Sequence, residues 1–241
     1  MIDLHCHLLP GIDDGPEDLA TALRLARHAA ASGIHTSVVT PHIHFGRYDN
    51  RAAGIREAAQ AFQGVLDAEG IALKIRCAAE VRLDHEILSW VGEGHIPWLG
   101  QWQGERVMLL ELPHSHVPVG ADKLVAWLLK QGIRPMIAHP ERNKDVMRSI
   151  DKLLPFVRLG CLLQVTAGAV AGTFGEYARV RAVDLLERGW VTVLASDAHN
   201  MESRPPELEP GRAAAARIVG EEESWKLVRG RPAEIIGGVA L

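Results

Sequence analysis

The chain has 241 residues, a formal net charge of -4 from 26 basic and 30 acidic side chains, 47% hydrophobic residues and only 5% aromatics. This acidic balance, with no basic run, lacks the positive footprint that a nucleic-acid backbone demands. The scattered Cys6, Cys77 and Cys161 make no disulfide framework, and no apolar run approaches transmembrane length.

One domain over residues 1–241 is expected, with a core of Leu, Ile, Val and Ala. The sequence opens MIDLHCH, with no secretion signal ahead of its first histidines. With reduced cysteines, that predicts a cytoplasmic protein that does not insert into a membrane.

In chain order, apolar runs of strand length fall at Ile2–Leu4, Thr36–Val39, Ala72–Ala78, Arg106–Leu110, Pro135–Ala138, Cys161–Val165 and Val191–Ala195. Such continuous runs indicate a parallel sheet covered by helices. Pro16, Glu17 and Asp18 predict a helix start, with the helix running to about Ser32 and capped by Gly33. Further helices are predicted near 51–69, 121–131, 147–159, 176–188, 211–219 and 222–229. Alternating strands and helices give either a barrel or a doubly wound sheet. No GxGxxG follows the first strand, which weakens the dinucleotide-binding version. Polar groups at the strand ends favour a barrel whose mouth carries the chemistry.

Those groups are His5, His7, Asp14, His42, Glu80, Glu111, His139, Asp197 and His199. In a strand, residues two apart share a side, so His5 and His7 can bind one ion together. HxH alone is a weak signal, and any single strand-end carboxylate can be a helix cap or an ion-pair partner. A carboxylate closing an apolar strand is costly unless paired or metal-bound, and here the pattern recurs at nearly every strand end. Four carboxylates at one mouth repel unless more than one divalent ion is present. Mixed imidazole and carboxylate donors without thiolate favour Mn, Fe or Zn over Mg or Ca, and argue against a closed structural zinc site.

The stretches MIDLHCHLLPGIDDG, TPHIHFGRY, LPHSHVP, IAHPERN, VTAGAVAGTFG and ASDAHN resemble the polymerase and histidinol phosphatase (PHP) superfamily. The nearer resemblance is to its bacterial tyrosine-protein phosphatase branch of capsular and extracellular polysaccharide synthesis. It extends from residue 1 to about residue 206.

The resemblance implies a distorted (β/α)7 barrel holding three divalent transition metals, manganese first, with iron or zinc as alternatives. One ion would take His5, His7, Glu80 and Asp197. A second would take Glu80, Glu111 and His139, and a third Asp14, His42 and His199. In DDG the family favours Asp14 as ligand, which leaves Asp13 as a partner to a ligand histidine or a helix cap. The implied reaction is hydrolysis of phosphotyrosine on a protein of the polysaccharide export machinery, expected to be a tyrosine kinase, by a hydroxide bridging two metals. Arg142 and Arg204, just beyond His139 and His199, are the expected phosphate-gripping residues. A histidinol-phosphate or other small-molecule phosphatase is the rival reading, and a non-catalytic metal-binding scaffold a more distant one. His44, Phe45, Arg47, Tyr48, His114 and His116 are candidate mouth residues, and surface loops are an equally good account of them. No Cys-x5-Arg is present to support a cysteine nucleophile. Nothing in the sequence sets the oligomeric state.

Overall fold

A computed structural model describes residues 1–237. The elements in order are β1 Ile2–Cys6, α1 Leu19–Ala31, β2 Thr36–Val39, β3 His42–His44, β4 Tyr48–Asp49, α2 Ala52–Ala68, β5 Lys74–Cys77, β6 Glu80–Arg82, α3 Ile87–Glu93, β7 Gly100–Trp102 and β8 Glu105–Glu111. There follow α4 Ala121–Lys130, β9 Ile133–Ala138, α5 Lys144–Arg148, α6 Leu154–Arg158, β10 Leu162–Thr166, α7 Ala167–Ala171, α8 Glu176–Glu187, β11 Val193–Ala195, α9 Glu209–Val219, α10 Glu221–Trp225 and α11 Arg231–Ile235.

Each of the seven predicted apolar runs overlaps a strand, and the strands that carry candidate ligands pair in parallel. One sheet has the order β1-β2-β5; the other runs β11-β10-β9-β8-β6-β3-β4, with β7 on the flank of β8. Backbone bonds join the two sheets at both margins. On one side β2 leads into β3 and β5 into β6, and Glu80 N–H donates to Thr40 O at 3.3 Å. On the other side Cys6 bridges Ala198, and His7 N–H donates to Ala198 O at 2.8 Å.

Two apolar clusters lie on opposite strand faces. One gathers Val39, Met108, Leu110, Ile137, Leu163, Val165 and Leu194 with helix residues such as Leu25, Phe62 and Leu128. The other gathers Ile2, Leu4, Val38, Val107, Leu109, Met136, Leu162 and Val193 with Ala233 and Ile235 of α11. The alternation along β8 and β10 is the period-2 pattern of a strand buried on both sides. At the C-terminal ends this second face turns polar: Leu109 is followed two residues on by Glu111, Ala78 by Glu80, and Leu162 by Gln164. Gly100 permits the seal at the opposite end, since a Cβ there would lie 2.0 Å from Ile235 O.

Four local expectations are corrected. The first helix starts at Leu19, because the Asp18 carboxylate accepts the Thr21 N–H at 2.7 Å and caps it; Pro16 lies ahead of the helix. The predicted helix at 147–159 is broken: Ser149 is extended, and Pro155 begins the separate α6. The predicted helix at 222–229 is α10 followed by a π-helical turn, Lys226–Gly230. The expected strands also omit β3, which begins at His42 just past Pro41 and pairs with β6 at Glu80.

Candidate metal centre

The local backbone explains how each group reaches the mouth. A register shift between Asp3 and Cys6 separates Leu4 and Cys6 into the two different clusters, yet brings His5 and His7 together with Nε2 atoms 3.2 Å apart. His139 and Asp197 both have positive φ, 31° and 52°. That is uncommon without glycine and turns each side chain sharply off its strand. The Asp13-Asp14-Gly15 turn lies against β1, and Gly15 has no room for a side chain: a Cβ would meet His7 O at 2.6 Å.

Eight of the nine predicted groups fall into three overlapping sets of donor atoms, the atoms of each set lying within 4.8 Å of one another. They are His5, His7, Glu80 and Asp197; His7, Asp14, His42 and His199; and His42, Glu80 and Glu111. His139 is in none of them, but its Nε2 lies 2.7 Å from Glu80 Oε1. Glu80 Oε2 is 3.3 Å from His5 Nε2 and 3.4 Å from His7 Nε2, while Asp197 Oδ1 is 3.2 Å from His5 Nε2. Asp14 Oδ1 faces His42 Nε2 at 3.3 Å and His199 Nε2 at 3.2 Å.

Asp13 takes a different part. Its Oδ2 accepts from His7 Nδ1 at 2.6 Å and from the His42 N–H at 3.1 Å, and its Oδ1 accepts from the Gly15 N–H at 3.0 Å. It orients a histidine from behind, as carboxylates behind metal-ligating imidazoles do.

The electrostatics of the bare cluster are unbalanced. Burial opposes charging His5, but Glu80 and Asp197 outweigh it and raise its pKa. Burial likewise opposes charging His7, and Asp13 raises it well above the usual value. Burial together with the Arg142 charge lowers His139 to about 4. Burial and then the Glu80 charge push Glu111 up. Three buried atoms, His42 Nδ1, Glu80 Oε2 and His199 Nε2, have no hydrogen-bond partner despite charged neighbours. Buried polar atoms ordinarily find partners, so convergent orphans among imidazoles and carboxylates fit cations.

The cluster floors a cavity of ≈ 280 Å³, whose walls include His44, Arg47, Tyr48, Arg82 and His114. Arg142 Nη1 lies 2.6 Å from Asp197 Oδ2, with its guanidinium over the Phe174 ring, and Arg204 Nη1 lies 3.8 Å from the same oxygen. Of the candidate mouth residues, Phe45 packs edge-on against Trp90 and belongs with the core. His116 does not line the cavity. Burial and the charges of Arg82 and Arg47 lower the His44 pKa, so its ring is neutral near neutrality and a poor proton donor.

Two residues of the site, Arg82 on the cavity wall and Gln164 buried behind it, were missed by sequence reasoning. Arg82 pairs with Glu111 at 2.9 Å; its signal was a base two residues after Glu80 on the same strand. Gln164 contacts both His5 and His139, and a lone polar residue inside CLLQVT was its only mark.

A family model described as "Capsular polysaccharide synthesis, CpsB/CapC" matches residues 1–237. The tyrosine-protein phosphatase YwqE of Bacillus subtilis (strain 168) is 37% identical over 204 residues, covering 85% of this chain and 79% of that protein. The tyrosine-protein phosphatase CpsB of Streptococcus pneumoniae is 28% identical over 245 residues, covering 98% of each. A chain from the crystal structures of YwqE and CpsB, described as unique metal-dependent tyrosine phosphatases, superposes with a TM-score of 0.91 at 32% identity, covering 100% of this chain and 96% of its own length. The chain therefore belongs to the CpsB/CapC family of capsular polysaccharide synthesis.

Proposed function

We propose that this chain is a metal-dependent phosphomonoester hydrolase acting as a protein-tyrosine phosphatase. The observation that carries the reading is the convergence of three overlapping donor sets and two arginines on one cavity. The names of YwqE and CpsB support phosphotyrosine as the substrate. On this reading the two sheets belong to one distorted (β/α)7 barrel in a single domain, 1–241, and the ions would sit at the C-terminal strand ends; the bridge from Cys6 to Ala198 supports it.

The donor chemistry suits three divalent transition ions, manganese first and iron or zinc next. His5, His7, Glu80 and Asp197 would hold one. Glu80 and Glu111, with His139 beside Glu80, would hold a second. Asp14, His42 and His199 would hold a third. When bound, such ions supply Lewis acidity and ionise water near neutral pH.

The remaining work falls to protein side chains. Glu80, placed between the sets, ties the cluster together. Asp13 keeps His7 Nδ1 occupied, so Nε2 faces inward. Arg142 and Arg204 grip the phosphoryl oxygens, where charge neutralisation is the main catalytic task. Phe174 beneath Arg142 steadies the guanidinium plane. The leaving phenol has a pKa of about 10, so it departs with little proton donation. Tyr48 and Arg47 at the rim, one stacked against His42 and the other over the Tyr48 ring, offer a flat apolar face and a positive charge to a phosphotyrosine segment.

No helix among the described residues is long and apolar enough to cross a membrane. A cytoplasmic location and a tyrosine kinase as the phosphotyrosine substrate belong to the same proposal; the family description supports its link to capsular polysaccharide synthesis. The test is hydrolysis of a phosphotyrosine peptide by protein loaded with Mn2+, Fe2+ or Zn2+. The reading expects turnover that a chelator abolishes and that exceeds turnover of histidinol phosphate. A strong preference for histidinol phosphate would favour the small-molecule reading, and tightly held metal without turnover the scaffold.

A further inference from the structure

Gln164 is fully buried near the end of β10, on the strand face that carries Leu162, and lies level with Ala138 of the neighbouring strand. Its Oε1 lies 3.2 Å from the His139 backbone nitrogen and 2.9 Å from His5 Nδ1. A backbone N–H can only donate, so the atom facing it must be the amide oxygen, and the flipped side chain is excluded. With oxygen there, His5 Nδ1 must carry a hydrogen. A neutral His5 ring then keeps its lone pair on Nε2, the atom 3.2 Å from Asp197 Oδ1 and 3.3 Å from Glu80 Oε2. The same oxygen anchors His139 where its backbone turns to φ 31°. A buried amide whose Nε2 has no partner is costly, and the apolar cluster beside it does not require one.

We propose that Gln164 is a positioning residue: it selects the His5 tautomer that offers Nε2 to a cation and seats His139 at the same time. The proposal rests on the metal reading above. Asp13 does the corresponding service for His7 with a carboxylate. Gln164 does it with a neutral group, so the fully buried His5 is oriented without a further negative charge among Glu80 and Asp197.

The test is chelator competition for Mn2+ and Zn2+ with the full chain and two variants. Gln164→Leu removes the acceptor and should weaken metal binding by about 10- to 100-fold, the usual cost of losing an orienting partner. Gln164→Glu retains an acceptor for both N–H groups and should stay close to wild type. A leucine variant with unchanged circular dichroism and wild-type metal affinity would overturn the proposal, as would a glutamate variant as weak as the leucine one. Should Gln164→Leu misfold, the nitrogen-15 spectrum of zinc-loaded wild type decides. A hydrogen on His5 Nδ1 is expected, and a hydrogen on Nε2 would overturn the assignment. Wild type that binds neither ion sinks the metal reading itself, whereas tight wild-type binding unaffected by the leucine change sinks this proposal alone.

Discussion

The two ends of the same strands are built on opposite principles. Toward the N-terminal ends, Leu4, Val107, Leu109 and Met136 close against Ala233 and Ile235 and make a self-sufficient apolar core. Toward the C-terminal ends, the same alternation delivers Glu80, Glu111, Gln164 and their histidine neighbours into a buried polar cluster with orphaned atoms. One end is satisfied by its own side chains, and the other keeps donor atoms that the proposed cations would satisfy. Stability and chemistry are therefore separable along the strand axis, and substitutions at the two ends should have different signatures.

The largest separation should come from Asp197→Asn or His139→Ala. Each should reduce turnover by more than about 100-fold, beyond the range of outer partners, while the folded state persists. Near-normal rates in either variant would remove that residue from the ligand set. Leu109→Ala should do the reverse, costing about 2–5 kcal/mol of stability through the cavity it leaves, with metal content per folded molecule unchanged. Denaturant unfolding beside elemental analysis distinguishes the two. Chelation should lower Tm by about 5–10 °C, from about 2.7 kcal/mol of linkage at metal 100-fold above Kd spread over a chain of this size. Thermal scans of the Leu109→Ala variant with and without chelator should give the same decrement.

A smaller effect tests the phosphate-gripping role. Arg142→Lys keeps the charge but loses the planar fork, and should cost about 10- to 100-fold in kcat/KM, the worth of one or two charge-assisted hydrogen bonds. Metal content should not change.

The subtlest contrast is in pH. In the metal-free protein, His5 and His7 have raised pKa values despite burial. The folded state then holds protons that the unfolded chain releases above about pH 6.5. Their contribution is full below that pH and is lost as pH rises through the raised values. His139 and His199 are lowered, chiefly by burial. They act in the opposite sense and only below about pH 6.5. Metal-free Tm should therefore fall above that point, and metal-loaded Tm should not. A metal-free profile that is flat or rises there would contradict the ion pairing described for the bare cluster.

The two ends were not equally legible. The apolar runs announced the strands, and a polar residue closing a run announced the mouth, so all nine candidate ligands were readable as a pattern. Asp13 and Asp14 look alike in DDG. The family resemblance favoured Asp14, and the physical reason is the approach of Gly15 to His7 O, which turns one carboxylate behind the ring and the other toward His42 and His199. The β3–β4 hairpin was hidden because Pro41 reads as a strand stop, while its position between two strand segments costs no ladder bond that the fold needs. Pro155 carried the opposite message, a fresh helix start inside a periodic stretch. Gln164 was illegible because its partners are 159 and 25 positions away. Nothing local to β10 predicts which tautomer His5 must adopt.

The most direct measurement is anomalous diffraction from crystals of the full chain soaked in Mn2+. The account predicts separate peaks at the three donor sets, with Glu80 shared and Arg142 free of Asp197 or bound to an anion. Peaks at exposed carboxylates alone, with the His5, His7, Glu80 and Asp197 set empty, would contradict it.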